Sequence, residues 1–401
     1  MALILAGLLL AVLACEARLG PRLHAKFAPE QFPWTRPDAA VASAVRAQTE
    51  RALDALAPVS RLVLPEGSRL EQYVAAQRTA RPVNTWPNAC LAAGLVAVVQ
   101  AGGDDGQALE TLRRFGDRLV DARGRLREPP RSVEQAMVGP ALLELASRPG
   151  GERFRSAANE LGEFLLHAAP RSSTGTLAYN PSQANVLLVD SLAIACPFLA
   201  AYATNFAQAA AADLAVWQLQ EFSERAVEPA TGLPWHAYES TGGAPYGILG
   251  WTRGAGWYAM GLVETLAALP PDHPARPRLV QALNRLTEAV AARQQADGLW
   301  RWCLSQPEGA ADTSGSALLA WAIERGVQTG TVPTIARRVA AKALAGLALH
   351  VDQNGLVTQA LGECQAVGHY PKIFGAYPWA QGPAAAALSW SLKPGPTPTR
   401  R

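Results

Sequence analysis

Residues 249–270 read LGWTRGAGWYAMGLVETLAALP. Met260, Val263, Leu266 and Leu269 recur at helical spacing, so the second half of the stretch predicts an amphipathic helix that stops at Pro270. Trp251, Arg253 and Trp257 crowd around Gly250, Gly254 and Gly256. Glycine at that density is expected to block a smooth helix start and to let the backbone lie close to something. Arg253 then sits at or just before a helix N-terminus, beside N–H groups that have no intrahelical partner. A guanidinium fork, free N–H groups and two indole faces suit a carboxylate on a sugar ring. A packed tryptophan corner with a surface arginine accounts for the same residues, because Trp is usually buried for packing.

Outward from this stretch the chain alternates helical text with loops of Gly, Pro, Asp and Asn. Helices are predicted near 39–57, 88–101, 107–121, 133–147, 152–168, 185–202, 205–227, 253–269, 275–294, 313–329, 332–350 and 380–392. Leu109, Leu112, Phe115 and Leu119 show the spacing, as do Leu214, Trp217, Leu219 and Phe222. Strand alternation is not convincing, and Ala and Leu are abundant, which leans toward helix. Twelve antiparallel helices in hairpin pairs can close into a double ring; a helical-repeat solenoid is the alternative. No fixed-period self-similarity is visible, which favours the closed ring. With 401 residues, 49% of them hydrophobic and 17% charged, the chain can bury a large core. There is no composition break, so residues 38–393 read as one domain.

A net charge of +3 and no Lys/Arg-rich block exclude a strongly basic nucleic-acid surface. The N-terminal run MALILAGLLLAVLAC is about as long as a signal-peptide core and shorter than the ~20 residues of a membrane span. Residues 1–20 are therefore expected to be an export signal or an anchor, and VLAC, ending at Cys15, resembles a lipoprotein cleavage site. The alternative is an apolar N-terminal helix of a cytosolic protein. The five cysteines (Cys15, Cys90, Cys196, Cys303 and Cys364) are far apart, with no CxxC, so a zinc site or disulfide framework is not expected. Cys90 and Cys196 lie in apolar helical text and read as small core residues.

Two acids stand out. Asp190 lies in NVLLVDSLAIACPFLAAY, where a carboxylate is costly unless paired, neutral or functional. Desolvation there raises a carboxyl toward the range of a general acid, whereas a helix cap is the structural alternative. Glu134 lies in RSVEQAMVGPALLELA at a helix start, where an acid also complements the helix dipole. Two neighbouring carboxylates would be the raw material of glycosidic chemistry. His236, with Trp235 and Tyr238, sits in the longest irregular stretch, 228–252. GLWRW at 298–302, Asp312 or Thr313 as a helix cap, and Trp379, Gln381 and Gly382 repeat the pattern of aromatic and polar residues before a helix. A ring of hairpins gathers such residues at one end, as flat apolar rings with a few oriented polar groups, which is the make-up of a sugar cleft.

The combination resembles the unsaturated uronyl hydrolases, glycoside hydrolase families 88 and 105. GWTRGAGWYAMGLVETLAALP is similar to their Trp-x-Arg-Gly-x-Gly-Trp signature, and LLVDSLAIACPFLA to the segment around their catalytic aspartate. SVEQAMVGPALLEL resembles the segment with the second acid; TGLPWHAY, GLWRW and DTSGSALLAW match in order and spacing. The resemblance covers roughly residues 40–392. It implies an all-α, six-hairpin (α/α)6 barrel that removes a 4,5-unsaturated uronic acid from lyase-derived oligosaccharides by hydrating a vinyl ether. It implies Asp190 as acid/base and Glu134 as its acidic partner, where aspartate is usual. Trp251, Arg253 and Trp257 would line the subsite of the unsaturated ring, with His236 hydrogen-bonding to it. Tyr179 in GTLAYN stands where some members have histidine, and Trp379 joins the binding wall. No metal or organic cofactor is implied, and a monomer or weak oligomer is expected. Other reactions on the same barrel (an ordinary glycosidase or a sugar epimerase) and a non-catalytic carbohydrate-binding protein are the alternatives.

Overall fold

The computed structural model describes residues 37–56, 83–103, 106–179 and 181–393. They belong to a unit that begins at Arg36; the unit before it, Met1–Thr35, carries the predicted leader and Cys15 and lies outside the described residues. Twelve α-helices occur among the described residues: α1 (Ala39–Ala55), α2 (Trp86–Ala101), α3 (Gln107–Leu119), α4 (Gly139–Ala146), α5 (Glu152–Glu163), α6 (Asp190–Phe206), α7 (Ala209–Arg225), α8 (Thr252–Ala268), α9 (Arg276–Ala291), α10 (Thr313–Gln328), α11 (Arg337–Ala348) and α12 (Pro378–Leu392). None of the described helices is long and apolar enough to cross a membrane.

Neighbour relations make a closed double ring. The even-numbered helices contact one another in chain order, α12 closes onto α2, and a 3-10 turn, Val133–Val138, ahead of α4 completes the contact between α2 and α6. Each odd-numbered helix lies outside, against its even-numbered neighbours. This is the six-hairpin α/α barrel. Side-chain pattern assigns the layers. α3 is amphipathic and buries Ala108, Leu112, Phe115 and Leu119 on one face, whereas α2 is apolar nearly all round and is buried nearly all round. Cys90 and Cys196 are core residues, as expected.

The ring closes where two glycines meet. A Cβ on Gly382 would lie 2.0 Å from the Cys90 carbonyl oxygen, and one on Gly94 would lie 2.3 Å from the Gly382 carbonyl. Only bare backbone lets α2 and α12 approach this closely. The glycines of the opening stretch act in a similar way. They do not block a helix start, as the sequence suggested, because α8 runs through Gly254 and Gly256. A Cβ on Gly256 would meet Leu318 of α10 at 2.6 Å, so this residue sets a helix–helix seam.

The rim carries short strands that the apolar periodicity did not reveal. β1 (Val186–Leu188), β2 (Trp235–Glu239) and β3 (Ala244–Leu249) form an antiparallel sheet in that order, and β4 (Ala360–Leu361) pairs with β5 (Phe374–Gly375). The predicted helix over 185–202 therefore starts later, at Asp190, because 186–188 pair with β2. The irregular stretch 228–252 contains the β2–β3 hairpin.

Candidate active site

All six inner helices begin at the same end of the ring. Trp86, Asp190, Arg253, Thr313 and Trp379 lie in the first turns of α2, α6, α8, α10 and α12, and Glu134 lies in the turn that leads into α4. A cleft of about 370 Å³ opens among them. Trp86, Tyr179, Asp190, His236, Trp251 and Trp257 line one part of it, and the segment Glu363–Val367 lines another.

Strand pairing brings Asp190 and His236 together. The Val189 N–H donates to the His236 carbonyl at 2.8 Å, continuing the β1–β2 register across the start of α6. His236 Nε2 then lies 3.4 Å from Asp190 Oδ2, with the carboxylate side chain 22% exposed and the imidazole 3%. The distance is long for a hydrogen bond. Among the described residues Oδ2 of Asp190 is buried without a hydrogen-bond partner. The cap of α6 is Val189, without a side-chain capping bond, so Asp190 does not serve as the helix cap. A carboxylate at a cleft wall that is committed neither to a cap nor to a strong bond is available for proton transfer.

Tyr179 stands among the acids. Burial and the charges of Glu134, Asp190 and Glu363 hold its phenol well above the usual range, and Glu134 also hydrogen-bonds to it. The Trp86 N–H donates to Glu134 Oε1 at 3.3 Å. Glu134 thus reaches the cleft through two wall residues, Trp86 and Tyr179. The sequence left open whether Glu134 and Asp190 belong to one site; both act on the same hydroxyl.

The tryptophans divide into wall and support. Trp86 meets Trp257 edge-on at 6.5 Å between ring centres, and Trp251 packs against His236 at 4.6 Å. Trp379 does not line the cleft, contrary to expectation. It is fully buried, lies 4.8 Å from Trp86, stacks on Tyr377 at 4.6 Å, and donates its indole N–H to the Leu361 carbonyl at 2.9 Å. Its place is behind Trp86.

Arg253 has a structural task beside the one the sequence suggested. It borders the cleft but is 2% exposed. Nη1 donates to the Leu361 carbonyl at 2.7 Å and to Ser314 Oγ at 3.2 Å, and Nη2 donates to the Gly362 carbonyl at 2.9 Å. The guanidinium carbon lies 4.8 Å from the Trp251 ring centre. Burial lowers its pKa from the usual value, and the charges of Asp312 and Asp190 oppose that shift. Asp312 caps α10 through the Ser314 and Gly315 N–H groups, as the sequence predicted, and also accepts from Leu361 N–H at 3.0 Å. Arg253, Asp312 and Trp379 therefore clamp the Leu361–Gly362 backbone, and the next residues, Glu363–Val367, become a cleft wall.

Sequence reasoning missed Trp86, Glu363, Gln365 and Tyr370. Trp86 carried a usable signal, since it stands at a helix start as Trp251 and Trp379 do. The 362–375 segment has no periodicity and carried none.

An inner ring of helix starts, aromatic walls and an uncommitted carboxylate define a carbohydrate-acting hydrolase of the α/α-barrel class. The family is narrower than the class. The glycosyl hydrolase family 88 model matches residues 66–388, and the chain belongs to that family. The unsaturated rhamnogalacturonyl hydrolase YesR of Bacillus subtilis (strain 168) is 25% identical over 278 residues, which cover 66% of this chain and 78% of that protein. A possible member of family 105 from Klebsiella pneumoniae superposes with a TM-score of 0.76 at 18% identity, covering 90% of this chain and 94% of that one. The unsaturated glucuronyl hydrolase of Bacillus sp. GL1 superposes with a TM-score of 0.62 at 16% identity, covering 87% and 95% respectively.

Proposed function

We propose that Asp190 is the acid/base of an enzyme that removes a 4,5-unsaturated uronic acid from the non-reducing end of lyase-derived oligosaccharides. Membership of family 88 makes the chain an unsaturated uronyl hydrolase. The observation that carries the assignment to Asp190 is the placement of its buried Oδ2, without a hydrogen-bond partner among the described residues, on an aromatic cleft beside His236.

The reaction asks little of the protein beyond one proton, moved twice. The carboxylic acid of Asp190 gives its proton to C4 of the enol ether. Positive charge develops at C5 and the ring oxygen. The carboxylate then accepts a proton from the water that attacks C5, and the resulting hemiketal opens to release the shortened sugar. His236, facing the carboxylate, stabilises its charged form between the two transfers. Trp86, Trp251 and Trp257 supply flat faces for sugar rings, and Glu134 orients Trp86 and Tyr179 as the acidic partner. Three of the five Arg253 donors hold Leu361, Gly362 and Ser314, so this residue serves first to fix the cleft wall. Breakdown of polysaccharides outside the cell, with the N-terminal 20 residues as signal or anchor, is consistent with the apolar run that ends near Cys15. A monomer or weak oligomer completes the proposal.

The test is loss of the ultraviolet band of the conjugated enol ether on a panel of lyase-generated oligosaccharides. Asp190→Asn should fold normally and lose about 10³-fold in turnover. Near-full turnover in that variant would reject Asp190 as the acid/base. Turnover of saturated glycosides, with none on the unsaturated panel, would reject the reaction.

A further inference from the structure

We propose that Tyr370 is a positioning residue that fixes His236 in the tautomer carrying its proton on Nε2, so that the ring nitrogen nearest Asp190 is already protonated and cannot take its proton. The catalytic consequence rests on the reading of Asp190 given above; the tautomer does not.

The argument is a count of donors and acceptors. The Tyr370 hydroxyl lies 2.6 Å from His236 Nδ1. A phenol has one proton to donate and at most two positions at which to accept. The Ile248 N–H donates to this oxygen at 3.2 Å. The oxygen is the acceptor in that bond, and among the described residues Nδ1 of His236 is the acceptor in contact with the hydroxyl proton. The short contact to His236 uses the hydroxyl proton, with Nδ1 as acceptor. A neutral imidazole that accepts at Nδ1 carries its hydrogen on Nε2. That hydrogen is on the ring nitrogen that lies 3.4 Å from Asp190 Oδ2.

The opposite tautomer would be harmful. A bare Nε2 beside Asp190 is a base, and it would withdraw the proton that the acid must deliver to carbon. With Nε2–H in place, the imidazole can only stabilise the carboxylate left behind. Burial holds the Tyr370 phenol well above its ordinary range, so it keeps the proton it donates.

The surroundings hold the geometry. The His236 ring is tilted against Trp251 at 4.6 Å and against Tyr370 at 5.5 Å, and Tyr370 packs on Trp302 at 6.0 Å. Gly247 on β3 adopts φ +86°, and a Cβ there would fall 2.9 Å from His236 Cβ and 3.1 Å from the Tyr370 hydroxyl. The absent side chain is what lets strand, imidazole and phenol meet. Tyr370 arrives on the segment that the Arg253 clamp anchors, so the acid on α6 depends on a loop 180 residues further along the chain for its proton bookkeeping.

Two-bond ¹H–¹⁵N correlation on protein labelled at histidine reads the tautomer directly, without substrate. The chain has six histidines, and His236→Gln identifies the signal. At a pH where the ring is neutral, the native protein should show a pyrrole-type Nε2 and a pyridine-type Nδ1. Tyr370→Phe keeps the ring packing and removes the donor; its His236 should become a mixture of tautomers. Turnover of that variant should fall about ten- to a hundredfold with KM nearly unchanged, as for loss of other partners that orient a histidine. A native Nδ1–H form overturns the proposal. So does a Tyr370→Phe protein whose His236 stays wholly Nε2–H, or whose kcat equals that of the native enzyme. If the native protein fails on the unsaturated panel, the reading of Asp190 falls, and the correlation spectrum still decides the tautomer.

Discussion

Arg253→Lys separates a clamp from a substrate receptor. The guanidinium makes three hydrogen bonds, to Leu361 O, Gly362 O and Ser314 Oγ, all buried. An ammonium is a compact point charge whose three donors radiate from one atom, so it does not reproduce the planar fork that spans two successive carbonyls. Lysine is expected to keep one bond and lose two. Hydrogen bonds to a charged group contribute about 1.5–3 kcal/mol each, so two losses amount to about 3–6 kcal/mol. That is a large share of a typical folding free energy of about 5–15 kcal/mol. Urea unfolding followed by circular dichroism should show it, and hydrogen exchange should speed up at residues 360–367 before the rest of the barrel. Turnover falls because Glu363–Val367 no longer form the cleft wall. A receptor for the substrate carboxylate predicts the reverse pattern, with native stability and a raised KM. An Arg253→Lys protein within about 0.5 kcal/mol of native stability, with its 360–367 amides still protected, would refute the clamp, since surface-like changes fall in that range.

Two further outcomes follow from packing and burial. Gly94→Ala forces a methyl against the Gly382 carbonyl at the seam that closes the ring, where overpacking costs about 1–3 kcal/mol or more; a thermal midpoint equal to that of the native protein would show that α2 and α12 can separate without loss. The Tyr258 phenol, hydrogen-bonded to Ser223, is pushed up to about 12 by burial, from an ordinary 10.0. The folded state therefore holds this proton more tightly than the unfolded state, so the stability it contributes is present below about pH 10 and is lost as pH rises toward 12. Tyr258→Phe should make the alkaline fall in urea midpoint shallower, and an unchanged slope would count against the assignment.

The sequence by itself determined the architecture, because the signal is local and repeated. Helices with one apolar face alternate with helices apolar all round, and that difference is a difference of layer. It also placed aromatic and acidic residues at helix starts, which a ring of hairpins gathers at one end. It picked out Asp190, since a carboxylate in LLVDSLAIA is conspicuous at any level of description. It could not assign the direction of a side chain at a helix start. Trp379 carried the same signal as Trp251 and Trp257, yet it turns to the Leu361 carbonyl while they line the cleft, and Arg253, which borders the cleft, spends three donors on the Leu361–Gly362 backbone and Ser314. Nor could it find Tyr370. Its hydroxyl matters because a backbone N–H from β3 and the His236 ring meet at that one oxygen. Hydrophobic periodicity is written residue by residue along the chain. A hydrogen bond between residues 134 positions apart exists only after the strands pair and the ring closes, so the tertiary structure alone decided which polar groups serve the substrate and which hold the walls.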